Sequence, residues 1–124
     1  MLALFRCFVM VLTVLCLAGG AVAGDPGKGK KVFNKCKACH QISKKKNKVG
    51  PHLVDLMGRT AGSVDGYKYS KAMKTSGIVW DENSLDLFLE KPKKFLKGTK
   101  MAFVGLKKKT DRDDVVAYLK LLSK

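Results

Sequence analysis

Five consecutive residues, Cys36-Lys37-Ala38-Cys39-His40, constrain this chain more than any other feature. Two thiols three positions apart on one helical turn, followed at once by an imidazole, form the C-x-x-C-H signature of covalent haem attachment. The spacing has a chemical reason. Each thiol can add to one of two adjacent vinyl groups, and the next residue then projects its imidazole at the iron. The competing readings are a chance cluster, a disulfide and half of a zinc site. Zinc needs further ligands, and the only other histidine, His52, sits in Gly50-Pro51-His52-Leu53.

The pattern along the chain agrees with a centre that side chains alone do not fill. Asp25-Pro26 is a helix start, a capping carboxylate with proline at the first helical position. It leads into residues 28–37, where Gly29, Val32, Phe33 and Cys36 fall at helical spacing. Asp81 is predicted to cap a second helix bearing Leu85, Phe88 and Leu89 on one face, with Pro92 as its stop. Thr110 is predicted to cap a C-terminal helix whose first turn holds Asp111, Asp113 and Asp114, favourable at the positive end of the dipole. Its apolar face is Val115, Tyr118, Leu119 and Leu122, spaced i, i+3, i+4, i+7. The connections are rich in glycine and lysine and show almost no alternating apolar pattern. The expected class is therefore all-α, with three to five short helices and long loops. Long loops without structure are uncommon in compact domains, so a non-protein group is expected in the middle.

Residues 1–23 read as a secretory signal peptide. Arg6 supplies the positive start, residues 7–17 are apolar apart from Thr13, and Ala21-Val22-Ala23 is a small-residue cleavage site. Cleavage before Gly24 would leave a mature domain of residues 24–124, with Cys36 and Cys39 as its only cysteines. An uncleaved membrane anchor is the rival reading, though the segment is short for a span. The whole chain carries a formal charge of +15. A balance of that size calls for an acidic partner. Export from the cytoplasm argues against nucleic acid and toward an acidic protein surface.

The second ligand to the iron is open from the residues alone: His52, Met57, Met73, Met101 and the lysines are all candidates, and an isolated Met is often core filler. A longer set of stretches narrows the choice. They are KKVFNKCKACH, GPHL, the pair Gly58-Arg59, GYKYS, GIVW, EKPKKFLKGTKMAFVGLKKKTDRDD and VAYLK. On these, from Gly24 onward, the sequence resembles class I cytochrome c, most closely the short bacterial cytochrome c2 type.

The resemblance implies that the fold wraps around one haem c, covalent through Cys36 and Cys39, with His40 and Met101 as the iron ligands. It implies that the Pro51 carbonyl accepts from the His40 ring, that Arg59, Tyr69 and Trp80 stand near the propionates, and that Thr99 flanks the haem on the Met side. Gly29 and Phe33 would pack against Tyr118 and Leu119 where the terminal helices cross. Three positions depart from the family's pattern. Phe88 replaces a usual tyrosine, Met73 a frequent polar residue, and Lys97 a common proline, so the family's typical potential is not carried over.

The implied function is a one-electron carrier and not an enzyme. It would be exported to the periplasm, monomeric, and in peripheral contact with the membrane at most. It would run between a quinol-oxidising cytochrome bc complex and a terminal acceptor, either a photosynthetic reaction centre or a cytochrome c oxidase. Lys35, Lys93, Lys94, Lys97, Lys100, Lys107 and Lys108, with Lys109, are expected to surround the exposed haem edge and meet an acidic docking site. The alternative is a peroxidase-like or gas-sensing haem protein, which would require weak ligation by Met101.

Overall fold

The computed structural model describes residues 24–123, so the predicted signal peptide lies outside the described residues. The order is α1 (Pro26–Val32), a 3-10 turn (Phe33–Lys35), α2 (Lys71–Lys74), α3 (Glu82–Glu90), α4 (Pro92–Phe95) and α5 (Lys109–Leu122). Among the described residues β-structure is limited to one isolated bridge, Thr60 with Val79. The all-α class with five short helices and long loops is what the sequence predicts.

The Asp25 carboxylate starts α1 by accepting from the amides of Gly27 and Lys28. The helix does not run on to residue 37. It tightens at Phe33, where the Cys36 amide bonds the Phe33 carbonyl at 2.8 Å, and the chain leaves the α geometry before the thiols. At α3 the expected Asp81 cap is present as a capping box, Asp81 accepting from the Ser84 amide while the Ser84 hydroxyl accepts from the Asp81 amide. Pro92 does more than stop α3, because it opens α4 as a first-turn proline.

The Thr110 cap is corrected. The last helix starts two residues earlier than that cap implies, at Lys109, with Lys108 at the cap position and no side-chain cap bond. The first turn is held instead from within the fold. Arg112 is 5% exposed, and its guanidinium donates to Asp86 on α3 at 2.7 Å and to the carbonyls of Leu106 and Lys107 at 2.8 and 3.0 Å.

Where α1 crosses α5 the backbones nearly touch. A Cβ at Gly29 would lie 1.9 Å from the Asp114 carbonyl oxygen, so only glycine permits the crossing. Phe33 and Tyr118 stack across it with ring centroids 5.6 Å apart. Val115, Val116 and Leu119 of α5 join Leu85, Phe88 and Leu89 of α3 in the buried cluster. This corner is a protein core in the ordinary sense. The remainder of the molecule is a wall of loops.

Candidate haem site

The loops enclose a cavity of about 230 Å³. Cys36, Cys39 and His40 line it from the first segment, Arg59, Tyr69 and Trp80 from the middle connections, and Thr99, Lys100 and Met101 from the loop after α4. Pro51 lines it beside His40. All nine predicted cofactor residues thus face one space.

Tight turns set the first three. The amides of Cys39 and His40 both reach the Cys36 carbonyl at 3.0 Å. The two thiols are free of each other, and burial, with Cys39 nearby, raises the Cys36 thiol above its ordinary value while Lys35 opposes this. A raised thiol disfavours a thiolate–metal site. Among the described residues no cluster of three or more His, Cys, Asp or Glu could hold a metal ion. The His40 imidazole sits with Nδ1 2.7 Å from the Pro51 carbonyl oxygen, so Nδ1 carries the proton and Nε2 keeps its lone pair. Burial lowers its pKa, the Pro51 bond opposes, and the charges of Arg59 and Lys48 lower it further. The ring is therefore neutral at neutral pH, the form that ligates.

A residue the sequence reading did not single out stands directly behind that ring. Gly50 is buried, and a Cβ there would come within 2.4 Å of His40 Cε1. Its signal was the Gly50-Pro51 pair, visible in sequence but ordinary for any turn.

On the polar side, Arg59 donates to the carbonyls of Val54 and His52, each at 3.0 Å. Burial lowers the guanidinium's pKa, with Tyr69 and Asp55 opposing. Tyr69 Oη accepts the Val64 amide at 3.2 Å, which leaves its own proton free to donate, and burial raises its pKa. Trp80 is 6% exposed and lines the cavity. Three donors at the edge of an apolar space fit the carboxylates of a haem. The Thr99 hydroxyl, 8% exposed, accepts from the Met101 amide at 3.4 Å. Phe88 lines the same space and packs on Trp80 at 5.1 Å, and Met73 lines it as well.

Tyr67 was also missed as a site residue. Its hydroxyl donates to the Val49 carbonyl at 2.8 Å, and the Lys100 ammonium stands 5.1 Å above its ring while bonding the Lys68 carbonyl. Lys35, Lys93, Lys94, Lys97, Lys100, Lys107 and Lys108 are all exposed. Of these, Lys35 and Lys100 reach the cavity itself. Lys109 is diverted into ion pairs with Asp113 and Asp86 at 2.7 and 3.7 Å.

A loop-rich helical chain closed around two adjacent thiols and a neutral, oriented imidazole defines a c-type haem protein. Comparison with known proteins makes the class specific. The Cytochrome c family model matches residues 27–123. Cytochrome c2 of Rhodomicrobium vannielii is 52% identical over 103 residues, covering 82% of each chain. Cytochrome c of Euglena viridis is 51% identical over 100 residues, covering 80% of this chain and 98% of that one. The solved structure of cytochrome cH from Methylobacterium extorquens superposes with a TM-score of 0.75 at 46% identity, covering 79% of this chain and 99% of its own.

The chain belongs to the cytochrome c family and is a class I, c2-like member. Its cofactor is one covalent haem c, and it is an electron carrier, not an enzyme.

Proposed function

We propose that the chain shuttles single electrons between a quinol-oxidising cytochrome bc complex and a terminal acceptor, a photosynthetic reaction centre or a cytochrome c oxidase. It works as a monomer in the periplasm after cleavage before Gly24. Among the described residues no helix is long and apolar enough to cross a membrane.

In this reading Cys36 and Cys39 would bond the haem, and His40 and Met101 would ligate its iron. The haem supplies a Fe(II)/Fe(III) couple, and a thioether ligand favours the ferrous state. Everything else falls to the chain. Pro51 fixes the orientation and tautomer of the His40 ring, and burial keeps it neutral. Arg59, Tyr69 and Trp80 hold the propionates by donated hydrogen bonds, and the apolar lining excludes water, so that little reorganises between redox states. The single observation that carries the reading is that Cys36, Cys39, His40 and Met101 line one cavity.

The lysines supply recognition. Lys35 and Lys100 at the cavity, with Lys93, Lys94, Lys97, Lys107 and Lys108 exposed in the flanking segments, present positive charge to an acidic docking surface. Steering of this kind raises association rates by roughly ten- to a thousand-fold at low salt. The test is stopped-flow transfer from a purified bc complex over a series of ionic strengths. A steep fall of the second-order rate with salt is expected. A flat profile overturns the docking assignment.

A further inference from the structure

We propose that His52 is a positioning residue for Arg59, and that protonation of His52 raises the potential of the bound haem. The inference rests on the carrier reading above and adds to it a proton-linked control of the driving force.

Arg59 enters the cavity from a clamp built by one short turn. Its two terminal nitrogens are held by the carbonyls of His52 and Val54, each at 3.0 Å. The turn closes on itself through the histidine, because the Val54 amide donates to His52 Nδ1 at 3.3 Å. From the other side the His52 amide donates to Asn47 Oδ1 at 3.0 Å. Nδ1 can accept the Val54 proton only while the imidazole is unprotonated there. Once His52 is charged, Nδ1 becomes a donor facing a donor. The turn must then open, and the two carbonyls that fix Arg59 move with it.

Partial burial disfavours the imidazolium most, Arg59 and Lys45 add to this, and Asp55 opposes. Arg59, Lys45 and Asp55 are the charged groups that act on the histidine, and the propionates of the bound haem would join them. A positive charge added beside this set stabilises the electron-rich ferrous state over the ferric one. Potential therefore rises as pH falls through the His52 titration. Reciprocity requires the converse, that reduction strengthens proton binding at His52. A roughly threefold difference in proton affinity between the two redox states is expected for separated charges near a protein surface.

The experiment is a spectroelectrochemical titration of the haem-loaded protein from pH 5 to 8, with proton NMR of His52 in both redox states. His52→Asn keeps an acceptor oxygen in the position of Nδ1 but cannot titrate. His52→Ala removes both charge and acceptor. The wild type should show a potential that climbs toward low pH and two distinct His52 pKa values. In His52→Asn that slope should drop to what the propionates alone contribute, and His52→Ala should differ from His52→Asn at every pH. Equal slopes in wild type and His52→Asn, with a reversible couple in both, overturn the proton linkage alone. Equal potentials in the Asn and Ala variants overturn the positioning role. Absence of a reversible couple in the wild type overturns this inference and the carrier reading together.

Discussion

The crossing of α1 and α5 and the wall of loops around the cavity are built on opposite plans. At the crossing, glycine lets two backbones meet, and Phe33 stacks on Tyr118 with no cofactor between them. Around the cavity, buried side chains end at a space. The Tyr69 hydroxyl accepts the Val64 amide and keeps its own proton to donate. One region is complete as protein. The other is complete only around the haem, which takes the place of core side chains and supplies the acceptors. Mutations in the two regions should therefore fail differently, one in stability and the other in the spectrum.

The largest effect should come from removing the cofactor's attachment. In the double substitution Cys36→Ser, Cys39→Ser, the wall of loops loses what it packs against, and cooperative unfolding should be lost. The near-ultraviolet dichroism of Trp80 reports this. A cooperative thermal transition retained in that variant would show that the loops hold themselves.

A matched pair of glycine substitutions sharpens the comparison. Gly29→Ala forces a methyl group into the Asp114 backbone, 1.9 Å from its carbonyl oxygen. The helices must part, at a cost of about 3 kcal/mol in denaturant unfolding, while the haem spectrum stays as in wild type. Gly50→Ala drives a methyl against the His40 ring, 2.4 Å from Cε1. Here the ferric haem-methyl NMR shifts, which report the plane of the imidazole, should move, with a smaller loss of stability. The reverse pattern would erase the distinction between the two regions.

The sequence disclosed these two regions unequally. The terminal helices were legible because Gly29 and Phe33, and Tyr118 and Leu119, sit at helical spacings, while their crossing came through resemblance; the first and third helices carried aspartate caps at Asp25 and Asp81. Four-residue α2 and α4 are too short to show a period. The start of α5 misled because Thr110-Asp111 looks like a cap, whereas the turn is anchored by Arg112 reaching back to α3 and the preceding loop. At the site, the thiols and His40 announced themselves. The loop residues came through resemblance, since nothing local distinguishes Thr99 or Met101 from any turn and any methionine. Gly50 and Tyr67 stayed hidden because their contacts, steric for Gly50 and a hydrogen bond for Tyr67, lie across the fold. The His52 amide and carbonyl serve Asn47 and Arg59, contacts that no spacing rule anticipates.

The smallest effect belongs to the helical side and to acid pH. The Asp81 carboxyl is held below its usual pKa, chiefly by the Ser84 amide. A depressed carboxyl adds stability above its unfolded pKa of about 3.9, and that increment disappears as pH falls through the folded value. Wild type should therefore exceed Asp81→Asn in melting temperature by a small margin at pH 7, and the margin should shrink on acidification toward pH 3. A margin that is constant with pH would show that the carboxylate charge contributes nothing to the cap.

The central claim is that His40 and Met101 together hold the iron in this cavity. Its most direct test is the near-infrared absorption of the purified ferric protein at neutral pH, where ligation by a thioether sulfur gives a charge-transfer band. The band should be present in wild type and absent in Met101→Ala. A wild-type protein without it would contradict the account, because Met101 would then leave the iron open to other ligands.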